Sequence, residues 1–259
     1  MRSRRQRMGQ HFLRDHRVAE AIVAALPDEP ARAIEVGPGR GALTRPLLAR
    51  FPRVRAIELD GALAQALPGV LGAPAGLEVI AADAVSADLN ALASGGPWLL
   101  AGNLPYSVGT PIVRRVIRRG DLVTTAVVMV QLEVARRLVA RPGGRDRGLL
   151  TLEVEGYAEA ELLFTVPPRS FAPPPQVMSA VVRLRVRRPD EHPPSLEGAL
   201  RLASAAFTHR RKKLANALAQ VGEREPLAAA CAAAAVDPTA RAENLTLAQW
   251  LALAAALEA

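Results

Sequence analysis

One cysteine, Cys231, stands among the 259 residues, so no disulfide can close within the chain, and a reducing cytosol is the expected setting. Aromatic side chains make up 3% of the sequence. That excludes a broad platform on which successive bases stack and leaves any stacking to a few placed rings. Lysine is nearly missing: Lys212 and Lys213 are the only two, against 31 arginines. No apolar run reaches bilayer length, since the longest, Ala228–Val236, is short and mostly alanine, and no membrane partner is expected. Met1–Arg7 carries four arginines with no apolar stretch behind them, which argues against a secretory signal. His16, His192 and His209 are scattered, and no metal site is expected.

What is present points to a folded chain that meets polyanions. Half the residues are hydrophobic, enough for a sizeable core, and the length suits one medium domain plus a small one. The net charge of +8 favours RNA or DNA, although an arginine and alanine excess also reads as codon bias. Short apolar runs at Arg32–Val36, Val54–Glu58, Leu77–Ala81, Trp98–Gly102 and Thr125–Val130 read as buried strands. Helical stretches at Leu43–Arg50, Ala62–Leu67 and Pro111–Arg118 lie between them, and that alternation implies a parallel sheet covered on both faces. Pro167–Pro175 holds five prolines and leads into Ser179–Val186, whose alternation suits an edge or antiparallel strand. Arg187–Pro194 reads as a linker. Beyond it, Leu196–Phe207, Lys213–Val221, Pro226–Val236 and Thr246–Leu257 read as helices. The expected architecture is α/β, a doubly wound domain over 1–188 followed by a small all-helical domain over 189–259.

The first strand runs into Glu35-Val36-Gly37-Pro38-Gly39-Arg40-Gly41 and then a helix. Glycines there let the backbone turn sharply and approach a ligand, with Gly37 and Gly39 closest to it. Glu58 closes the second strand, 21 residues after Gly37, where a carboxylate accepts hydrogen bonds from a ribose diol. That pattern suits a nicotinamide dinucleotide and S-adenosylmethionine equally. Asp83, just past the third strand, is placed to meet an adenine amine, and it also fits a simple turn cap. The fourth strand runs into Asn103-Leu104-Pro105-Tyr106.

An adenine N6 is a poor nucleophile because its lone pair is delocalised. A catalyst needs two acceptors that hold its N–H bonds while the nitrogen pyramidalises. The Asn103 side-chain oxygen and the Leu104 carbonyl can supply them. Pro105 stiffens the turn, and Tyr106 offers a ring face for the base. Methyl transfer is then an in-line displacement governed by positioning and electrostatics. The base must leave its stack to enter. Phe171, in the proline-rich segment, is a candidate for its opposite face, or else a hydrophobic anchor for that loop. Two basic clusters are candidate phosphate contacts: Arg114, Arg115, Arg118 and Arg119 on one helix, and the run His209–Lys213 with Arg210, Arg211, Lys212 and Lys213.

The chain resembles the bacterial small-subunit rRNA adenine N6,N6-dimethyltransferase family, the dimethyladenosine transferases. The matching residues are Gly9-Gln10-His11-Phe12-Leu13, the Glu35–Gly41 loop, Ile57-Glu58-Leu59-Asp60, Asp83, Gly102 to Tyr106, Gln131-Leu132-Glu133-Val134, Val166-Pro167-Pro168, Phe171, Ser179-Ala180-Val181-Val182, Arg210 to Leu214 and Arg241 to Leu245. The resemblance implies a class I S-adenosylmethionine methyltransferase, Rossmann-like, with a helical RNA-binding domain. It implies that His11, Leu13, Gly37, Glu58, Asp83 and Asn103 bind S-adenosylmethionine. It further implies dimethylation of two adjacent adenosines in a hairpin loop near the 3′ end of 16S rRNA, within the small subunit or its precursor, by a monomer. The chain departs from the family at His11, Ser107, Gly109, Gln176 and Met178, where Asn, Asn, Ser, Lys and Asp are usual.

Three rival readings stand beside this one. A large-subunit (23S) rRNA adenine methyltransferase of the macrolide-resistance type shares the loops. An RNA-binding assembly factor with dispensable catalysis shares the surface. A nicotinamide oxidoreductase shares the glycine loop, but these loops place no His or Lys to handle hydride.

Overall fold

The computed structural model describes residues 11–219 and 224–258. Met1–Arg7, Gly9, Gln10 and the last two residues of the expected Lys213–Val221 helix lie outside them. The described residues form nine strands in chain order: β1 (Phe12–Leu13), β2 (Arg32–Val36), β3 (Arg53–Glu58), β4 (Leu77–Ala81), β5 (Trp98–Asn103), β6 (Val123–Gln131), β7 (Ala158–Val166), β8 (Phe171–Ala172) and β9 (Ser179–Val186). Seven of them form one sheet in the order β4-β3-β2-β5-β6-β9-β7, while β1 and β8 make a separate antiparallel ribbon.

Strands β2 to β6 run parallel. Their residues are mostly apolar because helices cover both faces, so no strict alternation with water is needed. The crossovers are the helices Thr44–Arg50, Gly61–Leu71, Leu89–Leu92 and Gly109–Ile117. Local chemistry sets their ends. The Asp60 carboxylate accepts from the Ala62 and Leu63 N–H groups, and Gly72, left-handed at φ +81°, stops the same helix. That helix runs on through Pro68, past the expected end at Leu67. The Gly109–Ile117 helix begins two residues before the expected start at Pro111 and stops before Arg118.

Strand β9 is antiparallel to β6, as its alternation suggests, but it is an interior strand. The edge belongs to β7, which the sequence reading did not identify. Arg183 and Arg185 of β9 do not simply face water; they pair with Glu161 and Glu159 of β7. The core behind the sheet joins Ile22, Leu47, Phe51, Leu99 and Met129 with Leu13 and Phe171 from the ribbon.

The chain divides into two compact units. The first holds residues up to Ala135 and Glu159–Pro189; the second holds Arg136–Ala158 and the chain from Asp190 onward. A single cut after residue 188 therefore differs from the structure, because Arg136–Ala158 joins the C-terminal helices. The hydrophobic face of the Leu149–Tyr157 helix packs on Leu196–Phe207, where the Leu196 side chain fills the space beside Gly156. Arg147 anchors this second unit. It has no exposed surface, and it forms a two-pronged ion pair with Glu155 at 2.6 and 2.9 Å while donating to the Leu245 carbonyl at 3.1 Å.

Candidate active site

The chain order reverses between β2 and β5: β3 and β4 build outward on one side, then β5 pairs on the other side of β2. Such a switch point opens a crevice at the carboxyl ends of the strands. Here the crevice is an open cleft of about 450 Å³, lined by His11, Phe12, Gly37, Gly39, Glu58 and the Asn103–Tyr106 segment. Residues from four separate parts of the first unit thus meet in one place.

The glycine loop needs its glycines. Gly37 and Gly39 sit at φ +72° and +55°, in the left-handed region. A Cβ on Gly39 would also lie 2.9 Å from the Phe12 ring. The Gly39 N–H donates to Glu58 Oε2 at 3.0 Å, and the Asp60 N–H donates to Oε1 at 2.9 Å. These bonds fix the carboxylate plane, and each oxygen keeps a second lone pair for a ribose hydroxyl. Glu58 is buried yet lines the cleft, so a diol there would meet a held, desolvated acceptor pair.

The Asn103–Tyr106 turn is held just as firmly. The Asn103 amide nitrogen donates to the His11 carbonyl at 2.9 Å. That bond directs the amide oxygen away from His11 as a free acceptor. The Leu104 N–H donates to the Met129 carbonyl at 3.1 Å, and the Pro105 carbonyl takes the Val108 and Gly109 N–H groups. Among the described residues nothing donates to the Leu104 carbonyl. The turn therefore presents two oxygen acceptors, one from a side chain and one from the backbone. The half-buried Tyr106 ring stands 5.5 Å from the His11 ring, and its hydroxyl shares a 2.7 Å hydrogen bond with Ser179. Burial pushes the Tyr106 hydroxyl above its ordinary pKa, opposed by the Ser179 bond, so the ring stays neutral. His11 adds a 2.8 Å contact from Nδ1 to the Pro173 carbonyl, which ties the ribbon's entry to the proline-rich segment.

Other expected residues lie elsewhere. Leu13 is buried in the core beside the cleft. Asp83 caps its own turn, accepting from the Val85 N–H at 2.8 Å and the Ser86 hydroxyl at 3.1 Å, and it does not line the cleft. Phe171 departs most from expectation. Its ring is 2% exposed and packs with Leu13, Val166 and Val181. It anchors the loop, and no face of the ring is available to stack on a base. The first basic cluster is also spent on structure: Arg115 donates to the Ala84 and Ala87 carbonyls, and Arg119 pairs with Asp121. In the second cluster, Arg210 donates to the Arg145 and Arg147 carbonyls, while Arg211, Lys212 and Lys213 are exposed.

Glu35 was not singled out by the sequence reading. It is 1% exposed inside β2, two residues before Gly37. Burial pushes its pKa from 4.5 up to about 8, and the nearby Glu58 charge adds to the rise. The Thr44 hydroxyl opposes the rise. A folded-state pKa above the unfolded one means that the folded protein holds the proton more tightly. This contribution is complete below about pH 4.5 and is lost as pH rises toward 8. Glu35→Gln has no proton to lose. Its melting temperature, measured against the unmodified chain, should gain steadily from pH 5 to 8 and then level off. A difference that stays flat across this range would show that Glu35 is already ionised.

Comparisons with known proteins cover the whole chain. A family-wide profile described as ribosomal RNA adenine dimethylase matches residues 1–259. The chain is 40% identical over 260 residues to the ribosomal RNA small subunit methyltransferase A of Desulfitobacterium hafniense, covering 96% of this chain and 91% of that one. It is 41% identical over 252 residues to the protein of that name from Nitrosococcus oceani, with 96% and 94% covered. Among solved structures, the 23S rRNA methyltransferase ErmE superposes with a TM-score of 0.74 at 31% identity, over 96% of this chain and all of that one. A dimethyladenosine transferase from Plasmodium falciparum gives 0.76 at 22% identity, over 94% and 96%, and so shares the fold.

Proposed function

Since the chain belongs to the ribosomal RNA adenine dimethylase family, we propose that it transfers methyl groups from S-adenosylmethionine to N6 of two adjacent adenosines near the 3′ end of 16S rRNA. The target is the small subunit or its precursor, and the chain acts as a cytosolic monomer. The observation that carries this reading is the pair of unoccupied acceptors, Asn103 Oδ1 and the Leu104 carbonyl, at the switch-point cleft.

The cleft suits the donor. The left-handed glycines keep side chains out of its floor, and Glu58 supplies ribose acceptors at its wall. His11, Gly37, Gly39, Glu58 and Asn103 would hold the donor at the cleft, with backbone at Leu13. Asp83 would reach the adenine amine through oxygen lone pairs left over from its turn. When bound, S-adenosylmethionine supplies a methyl group on a positively charged sulfur. Asn103 Oδ1 and the Leu104 carbonyl would accept hydrogen bonds from the N6–H groups and turn the nitrogen lone pair away from the ring; each transfer forms one N–C bond, and the proton that N6 then sheds passes to solvent. Tyr106 supports the base face, and the neutral Asn and Tyr add no positive charge beside the donor. Because Phe171 is buried, Tyr106 is the aromatic partner this site offers, with the exposed Arg211, Lys212 and Lys213 as phosphate contacts on the second unit.

Glu58→Ala should weaken donor affinity by about 10- to 100-fold, the worth of hydrogen bonds to a charged group, with little change in the rate of the bound complex. Equal calorimetric affinities for the two forms would refute the ribose assignment. Tyr106→Phe keeps the ring and should transfer methyl within a few-fold of the unmodified chain, whereas Tyr106→Ala should slow single-turnover transfer by roughly 10-fold or more, from lost base stacking. Similar rates for the Phe and Ala forms would remove the ring from the mechanism. Incubating the protein and labelled donor with separated unmethylated subunits tests the target itself. Label is expected on the small subunit; label confined to the large subunit would assign the chain the reaction in ErmE's name.

A further inference from the structure

We infer that Arg14, Arg40 and Arg169 form a second phosphate-binding site at the mouth of the cleft, gripping the RNA backbone beside the inserted adenosine. This rests on the rRNA reading above and adds contacts on the first unit to it. The β1–β8 ribbon sets the geometry. Its register pairs Phe12 with Ala172 and Leu13 with Phe171, and the Arg14 N–H extends it by donating to the Ser170 carbonyl at 2.9 Å. Leu13 and Phe171 point into the core. Alternation along the strand therefore puts Phe12 and Arg14 on the opposite, outward face. Phe12 lines the cleft, and the exposed Arg40 guanidinium sits over its ring at 5.1 Å. Arg169, also exposed, immediately precedes Ser170 across the ribbon.

What marks these three is the lack of a counter-charge together with a place on or against the ribbon. Several arginines of this unit are ion-paired, as Arg50 is with Asp28, Arg55 with Glu78 and Arg183 with Glu161, and Arg32, Arg45 and Arg115 spend their guanidiniums on backbone carbonyls. Among the described residues, Arg14, Arg40 and Arg169 have no ion-pair partner. The adjacent acid, Asp15, is taken up by the Arg17 N–H and the Ser170 hydroxyl. Three uncompensated guanidiniums beside a cleft that admits an unstacked base suit the phosphates on either side of that base. Arg40, held over an aromatic ring, is pre-aimed at the cleft's rim.

The test uses the full chain and small ribosomal subunits from cells lacking the protein. In the triple variant Arg14→Gln, Arg40→Gln, Arg169→Gln, the slope of log affinity against log salt should fall by about 2, at roughly 0.7 per single-strand phosphate contact. Affinity near 0.15 M salt should drop roughly 10- to 40-fold on the same basis. Calorimetric affinity for S-adenosylmethionine and the melting temperature should not change. The triple Lys variant should keep most of the slope, which a packing role would not require. An unchanged slope in the Gln variant overturns the site. So does a fall in donor affinity with RNA binding intact, which would assign Arg40 to the donor. If the unmodified chain neither binds nor methylates small subunits, the rRNA reading fails first and this site with it; if it does both while the triple variant matches it, only this site fails.

Discussion

Asn103→Ala should lower the single-turnover rate of methyl transfer by about 10²–10³-fold, the cost of deleting one preorganised hydrogen-bonding group at a reacting centre. In the proposed reaction the side chain has two roles. Its nitrogen donates to the His11 carbonyl at 2.9 Å, and its oxygen would be one of two acceptors for the adenine amine. Alanine removes both, so some loss of donor affinity through a loosened His11 is expected as well. The two effects separate if transfer is measured at saturating donor, where only the acceptor role remains. A variant that transfers methyl at full rate under those conditions would remove Asn103 from the chemistry.

The second large effect concerns stability. Arg147→Met should destabilise the protein by about 3 kcal/mol, near the low end of the cost of breaking a buried ion pair. The low end applies because the Glu155 side chain is 31% exposed and can regain water. The Leu245 and Ala140 carbonyls, however, lose their donor inside the second unit. For a chain of this size the melting temperature should fall by on the order of 10 °C. Denaturant unfolding gives the free energy directly. A loss under 1 kcal/mol would mean that methionine packing replaces what the guanidinium holds.

The residue pattern revealed the parallel half of the sheet well. Arg32–Val36 coincides with β2, because a strand buried on both faces appears as a bounded apolar run, and Leu77–Ala81 coincides with β4 although that strand is a half-buried edge. Leu196–Phe207 also coincides with its helix. Strand β7 escaped for a physical reason: the Leu149–Tyr157 helix passes directly into Ala158 with no intervening loop, and the nearby glycine, Gly156, lies inside the helix as a packing position. Without β7, the arginines of β9 looked like solvent-facing residues of an edge strand. Its own alternation, with Glu159 and Glu161 at a two-residue spacing, was the available signal.

At the site, sequence spacing brought out Gly37, Gly39, Glu58 and the Asn103–Tyr106 turn, all of which line one cleft. It could not show which amide atom of Asn103 is occupied, since that depends on the His11 carbonyl, 92 residues away. Nor could it choose between stacking and anchoring for Phe171, because burial is a property of the folded core. Ser179 stood out only as part of a matching run and Thr44 not at all, and both take their place at the site through Tyr106 and Glu35. Glu35 did leave a trace: a carboxylate in the middle of an apolar strand is costly unless it stays neutral or finds partners.

The most direct test of the proposed reaction is to map methylated adenosines in ribosomal RNA from cells with and without this protein. Two adjacent N6,N6-dimethyladenosines near the 3′ end of 16S rRNA should disappear when the protein is absent and return with the unmodified chain, but not with Asn103→Ala. Small-subunit rRNA that keeps both modified adenosines in the absence of the protein would contradict the proposed function.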